Sequence, residues 1–348
     1  MTLKLSVAFS DNLRVRPLID GTVKPQNIDL EFIITTAGER HYRNLMYDEF
    51  DVSEMSISHT LVTREQDGKG RWDWSALPVF PSKIIPWSDF YVRTASGIKG
   101  LGDLKGKRVG VPDFQMTASL WLRAVLKELC DIDTGDITWF NGRIKELSHG
   151  AAVLGQDQGP PPGVTLNWLT EGQALDTMLA QGEIDAALFL EVAAKTSKSR
   201  GLFATFDRYA GTPLTGNPKL HKLFEDGGKR IATEYYGRTG VIPVNHFVIV
   251  QNRILREHPW VALELFKAFQ RAKEVAYDRA REVAGGYLIF EGNDFGDQAG
   301  VFGEDPYPYG IRANRRLMDV IFQASFEQGL TNNPARIEDI FHSSIMDT

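Results

Sequence analysis

A single cysteine, Cys130, stands among 348 residues. It can form neither an intramolecular disulfide nor a thiolate metal cluster, so its expected place is a small, buried position near the end of a helix. Long apolar runs are missing too: nothing approaches the ~18 consecutive apolar residues of a membrane span. The opening stretch, Met1 to Phe9, alternates like a strand and lacks the apolar run and small-residue cleavage site of a secretory leader, so a cytoplasmic location and no membrane partner are expected. Positive charge is in short supply, with 39 Lys and Arg against 45 Asp and Glu and a net charge of −6. No basic face is thereby available to neutralise a phosphate backbone, which argues against nucleic acid as a partner. An anionic ligand would need a pocket in which a few cations and helix N-termini act against a mildly repulsive field.

What is present is apolar surface enough for more than one core, 43% hydrophobic and 11% aromatic. At this length a single core seldom serves, so two lobes are expected. Strand-like segments at Leu3–Phe9, Ile28–Ile34, 51–57 and Phe90–Arg93 alternate with helical stretches such as 39–50, the pattern of an α/β lobe. Arg108–Val111, a helix over 116–129, a helix over 171–181 and an apolar strand over 184–190 repeat the theme. The Gly- and Pro-rich stretch 155–163 reads as a surface loop. His246–Gln251 predicts another strand, and Val261, Leu265, Phe266, Phe269, Ala272 and Ala276 lie near 3.6 spacing on a long amphipathic helix that begins a mainly helical C-terminal third. No internal repeat is visible.

Several segments, in this order, carry more than a fold class: Asp51-Val52-Ser53-Glu54-Met55-Ser56-Ile57-Ser58, Asp103-Leu104-Lys105-Gly106-Lys107, Gln115-Met116-Thr117-Ala118, Arg238-Thr239-Gly240 leading to His246, and Pro308-Tyr309-Gly310 leading to Asn314-Arg315. Together they resemble the 4,5-dihydroxyphthalate decarboxylase family, over residues 3 to about 341. The resemblance implies an α/β, two-lobed fold of the type II periplasmic-binding-protein kind with a helical C-terminal segment. Its lobes would be 1–93 with 245–348, and 94–244, and a small aromatic carboxylate would sit between them. One region departs from the family pattern. Where the family reads Pro-Ser-Arg, an aromatic and Arg-His-Ser, this chain has Pro81-Ser82-Lys83-Ile84-Ile85-Pro86-Trp87-Ser88. A lysine is a point charge rather than a planar fork, so bidentate carboxylate binding is lost there. That leaves room for a different aromatic substrate on the same fold. A second alternative is a solute-binding protein that captures an aromatic acid for a transporter, against which the missing leader argues.

The implied chemistry assigns roles to residues. A benzoate-type acid cannot simply shed carbon dioxide, because the aryl anion is too basic; the ring carbon must be protonated as the bond breaks, with a para hydroxyl supplying electrons. No organic cofactor is required. His246, opening a strand at the crossing between lobes, is the acid/base candidate, with His59 and Glu54 as further catalytic candidates. Glu54, Ser56 and Ser58 alternate along one expected strand and so share a face. Gln115, Met116 and Thr117, at the start of a helix, together with Arg14, Lys83 and Arg238, are the expected grip on carboxylates. Trp87 is placed to stack on an arene, and Tyr309 and Asn314 to close the pocket. Some have a plain structural alternative: a helix cap for Thr117, a solvated cation for Arg14, strand capping for Glu54, Ser56 and Ser58, a locally satisfied ring for His246. His41, His149, His221, His258 and His342 are expected to be structural. Glu54, His59 and His246 could instead hold a divalent cation, though no spacing motif marks them. A homo-oligomer is compatible with the composition.

Overall fold

A computed structural model describes residues 2–65, 71–82, 85–143, 145, 148, 160–189, 209–287 and 293–348. Two sheets organise it. The first has the order β2-β1-β3-β11-β4, built from β1 (Leu3–Phe9), β2 (Ile28–Ile34), β3 (Val52–Ser56), β4 (Trp74–Leu77) and β11 (His246–Gln251). β1 pairs in parallel with β2 and β3, whereas β11 runs antiparallel to both β3 and β4, between which it is inserted. The second sheet, of order β10-β5-β9-β6-β7-β8, comprises β5 (Phe90–Arg93), β6 (Arg108–Val111), β7 (Thr138–Asn141), β8 (Thr165–Trp168), β9 (Ala186–Leu188) and β10 (Leu220–Lys222). Parallel pairing of β9, β6, β7 and β8 is closed at one edge by the antiparallel β5 and β10.

The lobe boundary moves relative to the expectation. Phe90–Arg93 was expected in the first lobe, but Phe90 pairs with Leu188 and Arg93 with Leu220, so the strand belongs to the second sheet. The chain therefore crosses between lobes before Phe90 and returns before His246. The two crossings lie side by side, with the Asn245 amide donating to the Ser82 carbonyl at 2.7 Å.

Helices follow from apolar stripes and their caps. The short α1 (Arg16–Ile19) carries Pro17 in its first turn. In α2 (Ala37–Tyr47) the Thr36 hydroxyl accepts from the Glu39 amide, and Asp48 closes the helix in the left-handed region. Its buried face, Arg40, His41, Asn44 and Leu45, is polar for three positions in four. α3 (Ile57–Glu65) follows β3 without a break, so Ser58 and His59 lie in a first helical turn rather than on the expected strand. α4 (Thr117–Cys130) and α5 (Leu175–Gln181) sit near their expected places in the second lobe, followed by α6 (Lys229–Thr239). The long α7 (Trp260–Tyr287) buries Val261, Ala262, Leu265, Ala268, Phe269, Ala272 and Lys273, and stacks Phe269 on Phe9 of β1 with ring centres 5.4 Å apart. Within the Gly- and Pro-rich stretch, residues 155–159 lie outside the described residues, and Pro161 packs against Gly329.

The lobes touch through α4. Its Trp121 indole donates to the Val244 carbonyl at 2.7 Å, and Arg123 Nε to Gln328 Oε1 at 2.5 Å, beyond α8 (Arg315–Glu327). Among the described residues, no helix is long and apolar enough to cross a membrane.

Candidate active site

Glu54 is the centre of the best-connected polar cluster. It projects from β3 and only 1% of its surface is exposed. One carboxylate oxygen, Oε2, meets Arg40 Nη2 at 2.8 Å and accepts from the Ser10 hydroxyl at 2.8 Å and the Ser10 amide at 3.2 Å. The other, Oε1, lies 2.6 Å from His246 Nδ1. Burial alone would raise the carboxyl pKa, but the charges of Arg40 and His246 and the hydrogen bonds from His246 and Ser10 outweigh it and hold Glu54 ionised, well below the usual carboxylate range. A carboxylate accepts only, so Nδ1 of His246 carries the hydrogen and Nε2 is left for other partners. His246 reaches this position through register: it faces Ser56 across the β3–β11 pair, while Glu54 lies two residues along on the same face.

Two more imidazoles extend the cluster. The His41 ring stands edge-on to His246 at 5.0 Å and edge-on to His59 at 5.7 Å. His59 is buried, and burial, reinforced by the charges of Arg143 and His246, pulls its pKa down to about 3, so it is neutral at ordinary pH. Arg143 comes from the second lobe, just after β7, where its Nη1 lies 3.4 Å from Asp113 Oδ2 and Ser148 Oγ donates to the same oxygen at 3.1 Å.

The lobes meet at three buried hydroxyls. Ser56 Oγ lies 2.8 Å from Thr117 Oγ1 and 3.0 Å from Ser58 Oγ, and the Ser58 amide donates to Thr117 Oγ1 at 3.0 Å. Ser58 is in the first turn of α3 and Thr117 opens α4, so two helix N-termini, one from each lobe, converge here and favour negative charge. On the other flank, Arg14 Nη2 donates to the Pro81 carbonyl at 2.5 Å and the guanidinium lies 4.2 Å from the centre of the Tyr307 ring. Burial pushes the Tyr309 hydroxyl well above the ordinary phenol range, with Arg14 and Glu54 among the charges acting on it.

The structure thus brings Glu54, His59, His246, Ser56, Ser58, Thr117, Arg14 and Tyr309 into one region. Gln115 and Met116 adjoin it at the start of α4, half-buried. Gln115 also lines a cavity of about 140 Å³ with Asp113, Phe114, Ser148, Trp168 and Leu330, on the second-lobe side and walled by first-lobe residues. At that cavity Arg143 and Ser148 meet Asp113 and Arg123 meets Gln328, whereas Arg40, Ser10 and His246 converge on Glu54.

Other expected residues lie elsewhere. Arg238 is exposed at the end of α6, where it pairs with Glu234 at 2.7 Å and donates to the Glu128 carbonyl at 3.2 Å. Glu128 is some 11 residues beyond Thr117 along α4, about 16 Å at the helical rise, so Arg238 cannot reach the cluster. Trp87 is wholly buried, donates to the Gly228 carbonyl at 3.2 Å and stands edge-on to Tyr235, which makes it core rather than a platform for an arene. Asn314 ties the Pro308 and Gly310 carbonyls at 2.9 Å each, framing Tyr309 rather than facing a ligand. Lys83 lies outside the described residues. The alternative of a cation held by Glu54, His59 and His246 is not supported: both Glu54 oxygens are engaged, and among the described residues no three His, Cys, Asp or Glu side chains are grouped to hold a metal.

Arg40, His41 and Arg143 were not anticipated. The signal for the first two was a basic pair on the stripe that ought to be apolar in an amphipathic helix. Arg143 was marked by Asn141-Gly142-Arg143 at the C-terminal end of a parallel strand, where open α/β sheets place ligands.

Two α/β lobes joined by paired crossings define a protein of the periplasmic-binding-protein fold. Solved structures agree. The periplasmic aliphatic sulphonate binding protein SsuA from Escherichia coli superposes with a TM-score of 0.53 at 12% identity over the whole of both chains, and an SsuA sulfonate-binding protein from Methylobacillus flagellatus KT with 0.54 at 12% over 99% of this chain and 93% of that one. No family model matches the sequence. A 4,5-dihydroxyphthalate decarboxylase from Comamonas testosteroni, however, is 31% identical over 99% of this chain and 98% of its own length, and one from Pseudomonas putida is 34% identical over 53% of this chain and 70% of its own. The chain belongs to the 4,5-dihydroxyphthalate decarboxylase family.

Proposed function

We propose that the protein is a decarboxylase of a hydroxylated phthalate-type acid, 4,5-dihydroxyphthalate or a close analogue, working without an organic cofactor. The observation that carries this reading is the Glu54–His246 couple, its carboxylate buried and its imidazole partly open, with Arg143 acting on the neighbouring His59 and Arg14 on the neighbouring Tyr309, cations from opposite lobes. The arene lies beside His246, with one carboxylate toward Arg14 or Arg143 and the helix N-termini. His246, hydrogen-bonded through Nδ1 to Glu54 and acting as the imidazolium, delivers a proton from Nε2 to the ring carbon bearing the other carboxylate. The para hydroxyl feeds electrons into the ring and spreads the positive charge as a dienone-like cation. The carbon–carbon bond then breaks, its electron pair restores aromaticity, and carbon dioxide leaves; solvent returns one proton to His246. His59, held neutral, cannot donate as an imidazolium and serves by hydrogen bonding.

The test is to incubate the purified protein with 4,5-dihydroxyphthalate and follow carbon dioxide release beside calorimetric binding. His246→Ala should lower kcat about 10²–10⁴-fold with affinity nearly intact. Arg14→Ala should weaken binding by about 2 kcal/mol. Tight binding with no carbon dioxide released would overturn the enzymatic reading in favour of solute capture.

A further inference from the structure

Lys273 occupies a core position. It lies on the buried stripe of α7, one turn after Phe269, with 1% of its surface exposed. An ammonium there is costly, because burial strips its hydration. Burial accordingly pulls its pKa below the ordinary lysine value, against the opposing pull of Asp305. A leucine or methionine would fill the same space without that cost, so the contacts of the ammonium need a reason.

Those contacts all go to one loop. Lys273 Nζ donates to Asp305 Oδ2 at 2.5 Å and to the Tyr307 carbonyl at 2.7 Å, and it stands 4.4 Å from the centre of the Tyr309 ring. Tyr307 in turn presents its ring face to Arg14, and Arg14 is gripped on its other side by the Pro81 carbonyl. Tyr309 is the loop residue nearest the chemistry. Its hydroxyl is buried beside Arg14, which acts on it both as a charge and through a hydrogen bond, and the Glu54 charge reaches it as well. A phenol hydroxyl and a guanidinium side by side offer two donors to one oxyanion.

We propose that Lys273 is a positioning residue, which fixes the 305–309 loop so that the Tyr309 hydroxyl and the Arg14 guanidinium together receive the substrate carboxylate that is not lost. The inference rests on the decarboxylase reading above. Its consequence is a division of labour: Lys273 acts on binding through Arg14 and Tyr309, while the Glu54–His246 couple, anchored on β3 and β11, does not depend on it.

The experiment uses full-length Lys273→Met, with Asp305→Asn as a milder variant whose altered side chain is partly exposed. Hydrogen exchange is followed in peptides covering 305–310 and α7, together with 4,5-dihydroxyphthalate kinetics and calorimetric binding of phthalate. The expected result is exchange at least tenfold faster in 305–310 with α7 still protected, KM and the phthalate Kd raised about tenfold, and kcat within threefold of the parent. Unchanged exchange in 305–310 would overturn the clamp. Faster exchange with unchanged KM and Kd would leave Lys273 a local structural residue and overturn the positioning role. Should α7 lose protection in Lys273→Met, the same comparisons are decided on Asp305→Asn. If the parent protein neither binds phthalate nor releases carbon dioxide, the decarboxylase reading fails, and hydrogen exchange alone decides whether the clamp exists.

Discussion

At the scale of single residues, the site is a set of buried charges that would be ruinous apart and are tolerable together. Arg40 and Glu54 are almost completely desolvated, and each would cost several kcal/mol if stranded. His59 escapes the same cost by staying neutral. The consequence is measurable. The folded state keeps His59 unprotonated down to about pH 3, whereas the unfolded chain binds that proton below about pH 6.5. Between those values the unfolded state holds more protons, so stability falls as pH falls. Urea unfolding at pH 7 and pH 5 should show the parent losing about 2 kcal/mol more than His59→Asn over that interval. An equal loss in both would mean that His59 is protonated in the folded protein.

At the scale of elements, the helix N-termini explain both what could be read from the sequence and what could not. β1, β2, β11 and the stripe of α7 were legible because each is set by its own alternation or 3.6-residue period. α3 was not. Ser56-Ile57-Ser58 continues a strand-like alternation, and the helix that begins at Ile57 has no local cap to announce it. Its first amides are satisfied from far along the chain instead, Ile57 by the Asn245 carbonyl and Ser58 by Thr117 Oγ1. The sheet that claims Phe90–Arg93 was equally hidden, since Phe-Tyr-Val-Arg suits either lobe and only distant partners decide. The Glu54–His246 couple was half legible: both residues stood out singly, but their contact depends on the register of β3 against β11. Thr117→Val tests the shared cap. It keeps the shape of the side chain but strands the buried Ser58 amide, and should destabilise the protein by about 1–3 kcal/mol in thermal or urea unfolding. Ser58→Ala, which loses a hydroxyl and leaves that amide paired, should cost less.

At the scale of the whole molecule, the insertion of β11 between β3 and β4 fixes an order of assembly during synthesis. The six described strands of the second sheet are complete by Lys222, whereas the first sheet lacks an interior strand until Gln251 has emerged. The lobe begun second is therefore finished first, the reverse of the usual vectorial order. A chain ended at residue 240 should show slow hydrogen exchange in β6, β7 and β9 and rapid exchange in β1 and β3; protection of β1 and β3 in that fragment would refute the order. Such a nascent chain also exposes two facing strand edges to any partner at hand, chaperone or neighbour. Nor is the Glu54–His246 couple formed early, because the carboxylate made first waits 192 residues for its imidazole.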